Sequence, residues 1–144
     1  MLMDIKAKLN EEAIQELLGW SVFPDPEHLE RAVQHYKDDA SAKLLGYVSE
    51  DEIIGLIGFH NAGSDTIVID HIAVDPSERY KGYGRGIILE LLELEKPAVL
   101  LAETDEEAVD FYRSSRFTVE SLGEKYPGTE RFKCTYYADE DDNE

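Results

Sequence analysis

The sequence predicts a domain of mixed α/β (α+β) class, and three observations predict it. Runs rich in Val, Ile, Thr and aromatic residues alternate along the chain with segments of helical apolar period. Two pairs of such runs, at 43–60 and 117–137, are joined by polar links, as paired strands are. In the middle, residues 66–103 read strand, helix, strand, and the last of these, AVLLAE (98–103), is nearly continuous in apolar residues, as expected of a strand buried on both faces. A chain of 144 residues is most simply one domain, able to bury roughly 70% of its unfolded surface.

Element by element, a short strand is expected over Met3–Leu9. EEAIQELLGW (11–20) reads as a short helix with Asn10 as its cap. PDPEHLERAVQHYKDD (24–39) is a clearer helix. Asp25 can cap it, Pro26 suits its first turn, and Leu29, Ala32, Val33 and Tyr36 recur at i, i+3, i+4 and i+7. Strands follow over Lys43–Ser49 and Ile53–His60, joined by the acidic turn EDE (50–52). NAGSD (61–65) then turns the chain into the long run Thr66–Val74. After a glycine-rich segment, Arg85–Glu95 carries Ile88, Leu91, Leu92 and Glu95 on one helical face, with Ile87 and Leu94 flanking it, and Pro97 ends it. Thr104 and Glu107 suggest a capping box for a helix over 106–115. Two last strands, Phe117–Leu122 and Arg131–Tyr137, are joined by the polar loop GEKYPGTE (123–130). The acidic ADEDDNE (138–144) is expected to be a solubilising tail.

Composition narrows the function classes. A formal net charge of −18 argues against general nucleic-acid binding, which relies on Lys and Arg, and it favours cationic partners such as amines, polyamines or basic peptides. No apolar stretch approaches the roughly 20 residues that span a bilayer, so no membrane partner is expected. MLMDIKAKLNEEAI lacks the pattern of a signal peptide. Cys134 is the sole cysteine, which fits a reducing cytoplasm and, for Cys134 itself, a structural thiol rather than a nucleophile. His28, His35, His60 and His71 lack helical metal-ligand spacing and no cysteine cluster joins them, so no metal is expected.

Residues 79–86, RYKGYGRG, stand where the strand ending IAVDP hands over to the helix starting IILELL. A Walker loop would end Gly-Lys-Ser/Thr, and a Rossmann fingerprint would close a doubly wound unit; neither fits. Two readings of strand, Gly-x-Gly-x-Gly, helix remain open on local chemistry. In one, the glycines serve only a tight turn. Alternatively, absent β-carbons admit an anion to the unsatisfied N–H groups at the positive end of the helix, with Arg79, Lys81 and Arg85 adding charge for a polyphosphate.

Arg79-Tyr80-Lys81-Gly82-Tyr83-Gly84 resembles the Arg/Gln-x-x-Gly-x-Gly/Ala motif of the GNAT superfamily of N-acetyltransferases, and AVDFYRSSRF (108–117) resembles that family's Ala-x-x-Phe-Tyr-x-x-x-Gly-Phe segment. The two motifs take in Ile67–Phe117, and the order of elements outside them fits the same fold. The resemblance implies a single GNAT domain over 1–137, a twisted, mostly antiparallel mixed sheet of six to seven strands flanked by about four helices. It implies acetyl transfer from acetyl-CoA to a primary amine of a small molecule or peptide by direct attack in a ternary complex, as a monomer or homodimer. The rival reading is a GNAT fold that binds acyl-CoA as a sensor or docking module without turnover.

By the same resemblance, the backbone of Ile72, Ala73 and Val74 pairs with the pantetheine arm. The loop Arg79, Tyr80, Lys81, Gly82, Tyr83, Gly84, Arg85 holds the pyrophosphate, and Tyr112 acts as general acid toward the departing sulfur. The coenzyme would lie in a splayed cleft beside AVLLAE. For a base, Asp70 and His71 are polar residues in an apolar strand, so each needs a partner or a task. Glu103 is the third candidate. Asp105 stands where many members carry Asn against the coenzyme arm, and a carboxylate is acceptor-only. Arg116 replaces the family's usual Gly; a left-handed backbone there would cost arginine roughly 1 kcal/mol. Trp20 and Phe23 follow the first helix, where members often line an acceptor pocket, although core packing is the simpler expectation.

Overall fold

The computed structural model describes residues 1–21, 26–79 and 81–138, with the backbone alone at 125 and 126. Among them are seven strands and four α-helices. The strands form one sheet in the order β1-β2-β3-β4-β5-β7-β6. β4 and β5 pair in parallel; β1–β2, β2–β3, β5–β7 and β6–β7 are antiparallel. The expected α+β class is therefore observed. The chain resolves into two compact units, Met1–His60 with Asp70–Glu95, and Asn61–Ile69 with Lys96–Glu144.

The first unit opens with β1 (Leu2–Asp4), shorter than the expected 3–9. Ile5 and Leu9 are both buried, a four-residue spacing that a helical turn satisfies as well as a strand does, and the chain leaves the sheet in a 3-10 turn over Lys6–Lys8. Asn10 does not cap α1 (Glu12–Gly19). Its Oδ1 instead accepts a hydrogen bond from Lys37 Nζ at 2.6 Å, and Glu11 at the cap position makes no side-chain bond. α2 spans Pro26–Asp38, with Pro26 in its first turn. Asp25 and Phe23 lie outside the described residues. Ala32, Val33 and Tyr36 are buried as the period predicts, and with Ile14, Leu17 and Leu18 of α1 they pack on Leu44 and Leu56 of the sheet. Trp20 is not core: it is 52% exposed.

β2 (Lys43–Ser49) and β3 (Glu52–Asn61) meet through Glu50 and Asp51, both at positive φ, as a two-residue hairpin turn requires. Gly58 in β3 leaves the room into which Tyr36 inserts; a Cβ there would sit 1.7 Å from the tyrosine oxygen. β4 spans Thr66–Val74 as expected. A 3-10 turn over Pro76–Glu78 follows, which sequence reading missed although its signal was legible: Asp75 Oδ1 accepts from Ser77 N at 2.9 Å. α3 begins at Tyr83, two residues early, and runs to Glu95. Its buried stripe is Ile87, Ile88 and Leu91. Ile87 is central rather than flanking, Leu94 is exposed, and Glu95 pairs with Lys43 at 3.4 Å.

In the second unit, Thr66–Ile69 of β4 pairs with Val99–Ala102 of β5 (Val99–Thr104). The capping box does not form. Thr104 stays buried in the strand, while Asp105 Oδ1 accepts from the N–H groups of Glu107 and Ala108 at 3.0 and 3.2 Å. A short carboxylate reaches N–H groups two and three residues on, so the chain turns before α4 starts at Val109 and ends at Ser114. Arg116 adopts φ 71°, the left-handed conformation the family's glycine would favour. β6 (Thr118–Tyr126) and β7 (Thr129–Tyr137) continue through most of the expected loop, leaving Pro127 and Gly128 as its turn. Gly128 has φ 79°, the conformation a Pro-Gly turn of type II demands, and charged residues on a terminal strand do not break its ladder. Cys134 is fully buried, and burial pushes its thiol pKa up, as befits a structural thiol.

Candidate active site

The end of β4 places Ile72 and Val74 half-buried and Ala73 buried. The chain then passes through the glycine segment into α3. Gly82 has φ 83°, open to glycine at no steric cost. Gly86 N donates to Gly82 O at 3.0 Å, the first bond of the helix, so the N–H groups of the first turn have no intrahelical partner. Gly82 and Gly86 are one turn apart, and a Cβ at either would meet nothing within 4 Å. The entrance to α3 is therefore bare backbone.

Two of the three cations around it are already engaged. The Arg79 guanidinium lies 5.6 Å from the Trp20 ring centre, a cation–π contact. Lys81 Nζ donates to Glu78 at 2.8 Å, and this bond raises the lysine's pKa. Arg85 is exposed, and the Tyr83 ring packs 5.8 Å from that of Tyr47. Tyr80 lies outside the described residues.

Asp70 and His71 each have a partner, as a polar side chain in an apolar strand requires. The Tyr36 hydroxyl lies 2.6 Å from His71 Nδ1. Burial, and secondarily the Asp70 charge, pushes the Tyr36 pKa far up, so the hydroxyl keeps its proton and donates it to Nδ1. Burial dominates at His71 too, against the opposing pull of Asp70, and brings its pKa down to about 4. His71 is thus neutral near pH 7, carries its proton on Nε2, and is a weak base.

A pH dependence of stability follows. The unfolded chain binds a proton at His71 below about pH 6.5 while the folded chain does not until about pH 4, so stability falls as pH drops through that window, by at most about 3 kcal/mol. Denaturant melts of the parent and of His71→Asn between pH 7 and pH 4 should show a shallower slope in the variant. Parallel slopes would remove His71 as the cause.

Asp70 Oδ2 lies 2.8 Å from His60 Nδ1 and 3.9 Å from His35 Nε2. His35, Tyr36 and His60 are the neighbours that sequence reading did not join to the site. Tyr36 was legible only as an apolar helix position, and nothing local marks where its hydroxyl ends. Among the described residues no group of three His, Cys, Asp or Glu side chains gathers to hold a metal.

The second unit holds the remaining candidates. Glu103 takes a hydrogen bond from Arg131 Nε at 3.2 Å. Asp105 spends Oδ1 on its own turn. Tyr112 is buried, its ring edge-on to Phe111 and Phe117 at 5.1 and 5.2 Å. Burial raises its pKa well above the usual tyrosine value, and its hydroxyl makes no hydrogen bond among the described residues. It is a protonated donor with no protein acceptor there.

The central strand of this mixed sheet runs through a glycine turn into the N-terminus of α3, where unsatisfied N–H groups have the geometry that suits an anion. The chain belongs to the acetyltransferase (GNAT) family, whose model matches residues 10–117. Over 70 residues it is 30% identical to an "Uncharacterized N-acetyltransferase in lysA 3'region" of Bacillus methanolicus, a match covering 49% of this chain and 58% of that relative. A chimera of the Vibrio cholerae spermidine N-acetyltransferase SpeG and hSSAT shares the fold at TM-score 0.77 and 15% identity, over 100% of this chain and 99% of that one. So does a GNAT-family acetyltransferase from Elizabethkingia anophelis with acetyl-CoA bound, at TM-score 0.70 and 17% identity, over 95% and 97%. No helix among the described residues is long and apolar enough to cross a membrane.

Proposed function

We propose that the chain is an acetyl-CoA-dependent N-acetyltransferase, moving acetyl to a primary amine of a small molecule or peptide by direct attack in a ternary complex. The observation that carries this reading is the bare backbone at Gly82 and Gly86, at the N-terminus of α3, in a member of this family. The acetyl-CoA held by the E. anophelis neighbour supports the choice of donor. In this reading the backbone of Ile72, Ala73 and Val74 holds the pantetheine, and the amides from Arg79 through Lys81, Gly82, Tyr83 and Gly84 to Arg85 hold the pyrophosphate. Tyr112 gives its proton to the departing thiolate. Asp70 is favoured over His71 for receiving the amine, because its Oδ1 makes no hydrogen bond among the described residues while His71 is a buried weak base. Asp105, turned to its own backbone, is given no coenzyme contact.

The test is calorimetric titration with acetyl-CoA of the parent and of Gly84→Glu. Gly84 lies in the first turn of α3 without positive φ, so glutamate is conformationally tolerated there, while its bulk and charge oppose an anion. Binding in the parent, weakened about tenfold or more in the variant, is the expected result, a difference of about 1.4 kcal/mol or more. A folded parent that does not bind acetyl-CoA would overturn the reading. Binding without turnover on any amine would return it to a non-catalytic acyl-CoA module.

A further inference from the structure

Three side chains from three elements of the first unit meet at one carboxylate oxygen: Asp70 of β4, His60 of β3 and His35 of α2. Their side chains are 20%, 36% and 38% exposed, so water and a solute can reach all of them. Both imidazoles address Oδ2; Oδ1 makes no hydrogen bond among the described residues. The other titratable groups facing the cluster are Tyr36 from α2, Asp39 just beyond its end, and His71 from β4. Tyr36 and His71 are held neutral by burial, and Asp39 is exposed and bonded to Ser41. Asp39 adds a fixed negative charge on the solvent side, and the charge of the three clustered side chains themselves varies with the histidines. It is −1 when both histidines are neutral and +1 when both are protonated.

We propose that His35, His60 and Asp70 form a proton-gated receptor for a cationic amine, the acceptor of the transfer reaction on whose assignment this inference rests. Asp70 Oδ1 faces the ammonium while His60 holds Oδ2 and His35 stands 3.9 Å from it. A partly buried carboxylate attracts a cation more strongly than one in bulk water, and the chain's net charge of −18 draws cations toward it. Protonating both imidazoles reverses the sign of the cluster and releases the cation. His35 and His60 are positioning residues here, since they act through Asp70.

Spermidine and putrescine serve as probes, with imidazole resonances followed by NMR in the full chain carrying coenzyme A. By linkage, an amine that binds the unprotonated cluster must lower the titration midpoints of His35 and His60, and its own affinity should fall about tenfold or more between about pH 8 and pH 5. The double variant His35→Gln/His60→Gln keeps amide donors beside Asp70 but cannot protonate. It should bind spermidine at pH 5 about tenfold more tightly than the parent does, a gain that a merely structural role would not produce. The proposal is overturned if a parent that binds acetyl-CoA shows no shift of either histidine with either amine. It is also overturned if the double variant, once folded, keeps the parent's pH dependence. Loss of acetyl-CoA binding beside an intact histidine response would instead sink the transferase reading and leave the receptor standing.

Discussion

Gly58→Ala is expected to destabilise the fold by about 3 kcal/mol or more, the upper range for overpacking a core. The new methyl carbon would lie 1.7 Å from the Tyr36 oxygen and 2.4 Å from the ring carbon bearing it. Tyr36 is fully buried, so the ring cannot swing into solvent without withdrawing from Ala32, Val33 and Leu44 around it. Moving it also removes the acceptor and donor that the hydroxyl and His71 supply to each other. A double-mutant cycle in denaturant isolates the cause. Gly58→Ala in a Tyr36→Leu background should cost much less than in the parent, because a shorter side chain vacates the collision. Equal costs in both backgrounds would show that the glycine serves some other need of β3.

Tyr112→Phe should lower turnover about 100-fold or more while leaving acetyl-CoA affinity nearly unchanged. The substitution removes one oxygen and keeps the ring between Phe111 and Phe117, so packing is preserved. The hydroxyl has no hydrogen-bond partner among the described residues, so no protein group is stranded by its loss. Burial raises its pKa, so the hydroxyl keeps its proton through the neutral range. Single-turnover kinetics with any accepted amine, beside calorimetry with acetyl-CoA, separates chemistry from binding. Equal rates in parent and variant would end the assignment. A parallel loss of affinity would make Tyr112 a binding group instead.

Much of the fold was legible along the chain because local period carries it. β2 and β4 fall on their expected bounds, and the four helices lie within a few residues of theirs. The departures have local physical causes that compete with period. Ile5 and Leu9 read as strand, yet their four-residue spacing lets both turn inward on one helical side. The GEKYPGTE stretch reads as a loop because it is polar, but strand pairing at the end of a sheet needs backbone groups rather than apolar side chains, and only Pro-Gly must turn. Asp105 displaced the capping box: its carboxylate takes the N–H groups of Glu107 and Ala108, while β5 keeps Thr104 buried.

By itself the sequence determined the α+β class, the family, and the glycine entrance to α3. Each depends on residues close together in the chain, where spacing and residue type suffice. Tertiary structure decided what surrounds Asp70 and His71. His71 meets a tyrosine 35 positions away through a gap that Gly58 opens, and Asp70 meets histidines on a neighbouring strand and on α2. Side-chain reach across packed layers is set by how α2 lies on the sheet. A buried hydroxyl that must find an acceptor leaves no periodic trace in the chain that carries it.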